Sequence, residues 1–326
     1  MTENRQTVLI TGAAGFLGTY LAELCAKTGI LAVGLDLNPP HQPRLWHDFH
    51  RVSCESPDVA ELLRKHKFSS VFHLAGGASV PVSVQNPYQD FTNFIPGTAN
   101  LALKIAKEQP ECSLVLFSSA AVYGDPAFLP IDESAPLHPL SAYGAHKALG
   151  EALLQHYARL YGLSIRIIRV FSAYGPGLRK QIMWDICQKA FAAVSSSNDG
   201  IELFGTGRET RDFIHARDVA RAALLVSALP ASEPTMIFNV ASGVETHIAD
   251  LAHLIVGKID PRLEIRFSGT VRLGDPSNWR ANISKIVIEG FECSTTINEG
   301  VAEVVEWAKD VTWGEQQDRF SDSFSG

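Results

Sequence analysis

The segment Val8-Leu9-Ile10-Thr11-Gly12-Ala13-Ala14-Gly15-Phe16-Leu17-Gly18 constrains this chain more than any other. An apolar, β-rich run gives way to three glycines that open an amphipathic stretch. Gly12 permits a tight turn, Gly15 lets the backbone approach a pyrophosphate, and Gly18 allows a helix to pack closely on the strand. The helix N-terminus then offers N–H donors and positive dipole to phosphates. The spacing is GxxGxxG, and a glycine triplet alone also fits a turn that binds nothing. Context favours a dinucleotide, because Asp36 stands at the end of the next strand. A carboxylate there accepts both ribose hydroxyls and repels a 2′-phosphate, so NAD is expected over NADP; Arg44 and Arg51 do not directly follow Asp36.

The first half repeats this strand–helix rhythm. Thr7–Thr11, Leu31–Asp36, Ser70–Leu74, Ser113–Ser118 and Ser164–Val170 read as strands. Leu17–Thr28, Pro57–His66, Asn93–Glu108 and Tyr143–Tyr161 read as helices. Strands rich in Val, Ile and Leu without alternation are those buried on both faces. The expected fold is α/β: a Rossmann-type doubly wound parallel sheet over residues 1–174, with ligands at the carboxyl ends of its strands. After Gly175-Pro176-Gly177 the rhythm changes. A smaller α/β lobe over 175–315 is expected to cover the substrate, with segments near 210–240 completing the main sheet. Residues 316–326 read as a flexible, polar tail.

A net charge of -7 argues against a nucleic-acid groove, which needs a clustered basic surface. No apolar run is long enough for a membrane span, and no signal region precedes the first strand. Five scattered cysteines, without CxxC or a Cys/His cluster, suggest neutral thiols, no metal and a cytoplasmic location.

Tyr143-Gly144-Ala145-His146-Lys147 turns a binding fold into a candidate enzyme. On a helix, a phenol and an ammonium four residues apart share one face. Tyrosine is a poor base at its ordinary pKa of about 10, and a nearby lysine and an oxidised nicotinamide both favour phenolate. The lysine can also hold the nicotinamide ribose. YxxxK alone is a common accident. Ser118-Ser119, ending the preceding strand at the sheet's carboxyl edge, changes its weight, because a serine hydroxyl there can steady the reacting oxygen.

These motifs, with HLAG (73–76), NFIPGTANL (93–101), FSSAAVYG (117–124), RVFSAYGPG (169–177), GTGRETRDFIHARDVA (205–220), FNVASG (238–243) and RLGDPSNWRANISK (272–285), resemble the extended short-chain dehydrogenase/reductase family. The likeness is to its NAD-dependent nucleotide-sugar epimerase/dehydratase branch and runs nearly end to end. It implies Ser119, Tyr143 and Lys147 as the catalytic trio. It implies that Gly12, Ala14, Gly15, Phe16, Leu17, Gly18, Asp36, Leu74, Ala75, Gly76 and Val170 lie against tightly held NAD, with Asn93 and Ser118 near the nicotinamide end. Arg211 and Arg272 match positions that contact a nucleotide diphosphate, Arg forks being suited to phosphate. Asp275 matches a position that binds a nucleotide ribose. The resemblance also implies a homodimer through the helices that include 93–108 and 143–161.

Departures narrow the reading. Ser172 replaces the usual Asn, weakening one phosphate contact, and Ser53-Cys54 replaces the aspartate that reads adenine. Ala78 stands where some relatives carry a lysine. Ala120-Ala121 stands where dehydratases carry an acidic pair, and alanines cannot transfer protons. Oxidation and reduction at one carbon therefore remains, most simply 4-epimerisation. A 4-keto-sugar reductase would use the same trio, and a non-catalytic NAD-binding relative would not need it. His73 reads as packing beside the cofactor, and His146 as exposed or contacting a neighbour.

Overall fold

The computed structural model describes residues 5–77, 80–270 and 276–322. In chain order the first elements are β1 (Thr7–Thr11), α1 (Phe16–Lys27), β2 (Leu31–Leu35), β3 (Asp48–His50), α2 (Asp58–Lys65), β4 (Ser70–His73), α3 (Val80–Gln85), α4 (Pro87–Glu108), β5 (Ser113–Ser119), α5 (Ala142–Tyr161) and β6 (Ser164–Val170). There follow β7 (Ser172–Tyr174), α6 (Gln181–Ser195), β8 (Gly200–Leu203), β9 (Thr210–His215), α7 (Ala216–Ala228), β10 (Thr235–Val240), β11 (Glu245–His247), α8 (Ile248–Ile259), β12 (Glu264–Phe267), α9 (Ser284–Ile288) and α10 (Ile297–Asp322).

Seven strands pair in the order β10-β6-β5-β4-β1-β2-β3, every pair parallel. Successive side chains on a strand face opposite ways, so each run feeds two cores. Val8, Ile10, Val115 and Phe117 pack with Leu21 and Cys25 of α1 and Val219 and Val226 of α7. Leu9, Leu114 and Leu116 pack on the other face with Leu62 of α2, Leu101 and Ile105 of α4, and Leu154 of α5. This is why the strands read as continuous apolar runs. The chain winds outward from β1 in one direction and from β4 in the other. The two carboxyl ends therefore diverge, leaving a crevice at this switch point.

The later segments divide differently from the expectation. Only β10 joins the main sheet, beside β6, while α7 packs on α1. β9 instead centres a separate sheet, parallel to β7 and antiparallel to β11. β8 and β12 pair in parallel beside it. Met183 and Ile186 of α6, Leu251 and Ile255 of α8, and Val301 and Val304 of α10 bury the core of this lobe. α10 continues to Asp322, so the backbone of 316–322 is helical where a flexible tail was expected. Among the described residues, no helix is long and apolar enough to cross a membrane.

Candidate active site

The site begins where β1 stops. Gly12 takes a φ of 68°, a conformation costly for any side chain, and Gly15 N–H closes the turn on Gly12 O at 3.0 Å. A Cβ on Gly18 would lie 2.5 Å from Gly12 O, so α1 can sit against the turn only with glycine there. The first turn of α1 has neither a side-chain cap nor an acidic residue, leaving its N–H groups available to an anion. Asp36, one residue beyond β2, is held by Ala14 N–H at 3.0 Å and Asn38 N–H at 2.9 Å. Ala14, expected against the cofactor, thus spends its N–H on orienting Asp36.

From this turn a cleft of about 1100 Å³ runs past Ser119, Tyr143 and Lys147 to Phe204, Arg211 and Trp279 in the second lobe. Small-molecule pockets are roughly 300–1,000 Å³, so this cleft stands at the large end of that range. Gly12, Gly15, Phe16, Leu17, Gly18, Asp36, Ser53, Cys54, Leu74, Ala75, Gly76, Asn93, Val170 and Ser172 all line it. Arg211 lies over Trp279, its guanidinium carbon 5.5 Å from the ring centroid, and Trp279 Nε1 donates to Gly124 O at 2.9 Å. Arg272, Asp275 and Ala78 lie outside the described residues.

Two serines fix the start of α5. Ser141 Oγ accepts from Gly144 N–H at 3.2 Å, and Ser83 Oγ, from α3, accepts from Tyr143 N–H at 3.0 Å. Tyr143 is half-buried and lines the cleft together with Ser119. Burial pushes its phenol pKa up, the Ser119 hydrogen bond pulls it down, and the Asp90 carboxylate raises it. Lys147 is buried, donates to Phe117 O at 3.0 Å, and sits 4.1 Å above the Phe94 ring and 5.8 Å from the Tyr143 ring. Burial pushes its pKa down to about 8, against the carboxylates of Asp90 and Glu151. Ser119, Tyr143 and Lys147 are thus brought together at the end of β5.

Ser118 also lines the cleft, and its hydroxyl donates to Glu151. Glu151 in turn pairs with Arg169 at 2.7 Å, both buried, and Arg169 donates to Tyr123 Oη at 2.8 Å. Neither Glu151, Arg169 nor Ser83 was singled out from the sequence. His73 is buried between Thr11 and Thr98, at 2.7 and 2.9 Å, and burial pushes its pKa down to about 3, so it is neutral packing. His146 contacts a neighbour, Asp90, at 2.6 Å.

The model of the NAD dependent epimerase/dehydratase family matches residues 8–241. The chain belongs to that family. It is therefore an NAD-dependent enzyme of the extended short-chain dehydrogenase/reductase type, and the glycine turn and oriented Asp36 carboxylate fit such a cofactor. The chain is 31% identical over 309 residues to the UDP-glucose 4-epimerase of Mycolicibacterium smegmatis, covering 92% of this chain and 97% of that protein. Among solved structures it resembles the UDP-glucose 4-epimerase of Thermotoga maritima with UDP-glucose, at TM-score 0.82 and 26% identity, covering 94% of this chain and 100% of that one. It also resembles the Brucella ovis UDP-glucose 4-epimerase in complex with NAD, at TM-score 0.82 and 27% identity, covering 92% and 98%.

Proposed function

We propose that this enzyme is a nucleotide-sugar 4-epimerase, with Tyr143 as its base and acid. The observation that carries this reading is that Ser119, Tyr143 and the buried Lys147 ammonium line the same cleft at the end of β5, with Lys147 Nζ 5.8 Å from the Tyr143 ring. The trio faces this cleft and has only Ala120 and Ala121 where elimination would need acids. The 4-position and a uridine diphosphate carrier are supported by the relatives' names and by UDP-glucose in the Thermotoga maritima structure.

When bound, NAD would supply the hydride acceptor and donor. Gly12–Gly18 and Asp36 would hold it, with Ser53, Cys54, Leu74, Ala75, Gly76, Asn93 and Val170 lining the same cleft. Tyr143 Oη takes the proton of the sugar 4-hydroxyl as the carbon loses hydride. Ser119 donates a hydrogen bond to the forming carbonyl oxygen, and Lys147 keeps an ammonium beside the phenol. The keto sugar turns over within the cleft, and Tyr143 returns the proton as hydride arrives on the opposite face. One hydride and one proton leave and return, so no external oxidant or reductant is consumed.

Arg211, with Arg272, Asp275 and Ser172, is assigned to the nucleotide diphosphate end. The sheet and α7 form the cofactor part, and the lobe of β7–β9, β11, β12, α6, α8 and α10 forms the sugar-nucleotide part. Exposed Leu103 on α4, with Leu149 and Leu160 on α5, supports a homodimer through these two helices. A cytoplasmic setting is part of the same reading, supported by five unpaired thiols and a cofactor and substrate of metabolic origin.

The test is a panel of UDP-, GDP-, CDP- and dTDP-sugars incubated with purified protein and no added cofactor. Inversion without added NAD, with NAD co-purifying, is the expected result. Strict dependence on added NAD(P)H would assign the site to a 4-keto-sugar reductase instead.

A further inference from the structure

Asp90, Phe94 and Thr98 recur every four residues along α4 and so share one face. Thr98 holds His73 of β4, and Phe94 lies beneath Lys147 of α5. Asp90 ends the row and is buried. Its Oδ2 lies 2.6 Å from Nδ1 of His146, and the two side chains are 6% and 17% exposed. Phe91 closes edge-on over the imidazole, with ring centroids 5.6 Å apart. A Cβ on Gly77 would fall 2.0 Å from Oδ1, so only glycine at 77 leaves room for this carboxylate. A buried carboxylate is costly to keep, and an apolar residue of similar size would stabilise the same contact as well or better. Neither the proton transfer assigned to Tyr143 nor the hydrogen bond assigned to Ser119 uses it.

We propose that Asp90 and His146 form a positioning pair that sets the charge around Tyr143 and Lys147, and with it the pH range over which the site turns over. The inference rests on Tyr143 and Lys147 being the working pair.

The groups that face these two residues can be named. Tyr143 meets Ser119 from β5 and the charge of Asp90 from α4. Lys147 meets Phe117 O from β5, Phe94 and Asp90 from α4, Glu151 and Tyr143 from α5, and neutral His73 from β4. The charge of Glu151 is matched by Arg169 at 2.7 Å. Asp90 is therefore the carboxylate whose balance depends on a single titratable partner. Its negative charge opposes phenolate on Tyr143 and supports the ammonium of Lys147. A charged His146 offsets both effects.

The test compares two variants that keep the hydrogen bond and change the charge. Asp90→Asn removes the negative charge, so both limbs of the pH–rate profile, read with UDP-glucose, move to lower pH by about half a unit or more. His146→Gln leaves Asp90 with an uncharged partner and moves the acid limb upward. Opposite movements support the pair; movement in the same direction, or none, overturns it. A readout independent of turnover is the tyrosinate absorbance of the apoprotein, with the Tyr143→Phe protein subtracted. Its midpoint falls in Asp90→Asn, and an unchanged midpoint overturns the inference even if the protein takes another sugar. Normal turnover by Tyr143→Phe would instead remove the assignment of Tyr143 as base, leaving the apoprotein titration to judge the charge pair alone.

Discussion

Replacing Lys147 by Met keeps most of the side-chain volume and removes the ammonium, which gives a stability signature with a definite sign. In the native protein this lysine lies 4.1 Å over Phe94 and donates to Phe117 O at 3.0 Å, and burial lowers its pKa from 10.5 to about 8. In the unfolded chain it keeps its ordinary value. Between pH 8 and 10.5 the unfolded state therefore binds more protons than the folded state, and raising the pH favours folding. A depression of this size corresponds to at most about 3 kcal/mol. Urea unfolding of parent and Lys147→Met proteins across this range measures it directly, because titrations shared by both proteins cancel. The difference is expected to be flat below pH 8 and to grow in the parent's favour above it. A difference that stays flat or moves the other way from pH 8 to 10.5 would refute the burial argument for Lys147.

Three further outcomes follow from the same geometry. Glu151→Ala leaves Arg169 buried without its carboxylate and should cost about 3–5 kcal/mol by denaturant unfolding, whereas a Glu151→Leu/Arg169→Met double variant should recover most of that loss. Asp36→Asn should narrow the preference for NAD over NADP by about tenfold or more in a binding titration, since the repulsive charge is gone; an unchanged ratio would dissociate Asp36 from the ribose. Tyr143→Phe should keep NAD binding and lose at least about a hundredfold in turnover, the lower end of what a positioned proton-transfer group contributes.

The parts of this protein legible in its sequence are those that depend on neighbours along the chain. β1, the glycine turn and α1 are specified within twelve residues, from Thr7 to Gly18. Tyr143 and Lys147 needed only helical spacing to share a face. Ser119 needed only its place at a strand end. Ser118 lines the same cleft, but its bond to Glu151 spans 33 residues and is not announced locally. Other groups depend on distant parts of the chain. Ser83 meets Tyr143 across 60 residues, and Asp90 meets His146 across 56. No local periodicity announces either contact. β9, Thr-Arg-Asp-Phe-Ile-His, lacks the continuous apolar run of most main-sheet strands, and its pairing with β7 and β11 assigns it to the second lobe.

The central claim is that hydrogen leaves and returns to the same sugar carbon as hydride, held within one cleft. The most direct measurement incubates UDP-glucose with the purified protein in heavy water, without added NAD, and follows the sugar hydrogens by NMR. Formation of the C4 epimer with its C4 hydrogen retained is predicted, because hydride does not mix with solvent. Deuterium at the inverted carbon would contradict the account and assign the inversion to proton exchange instead.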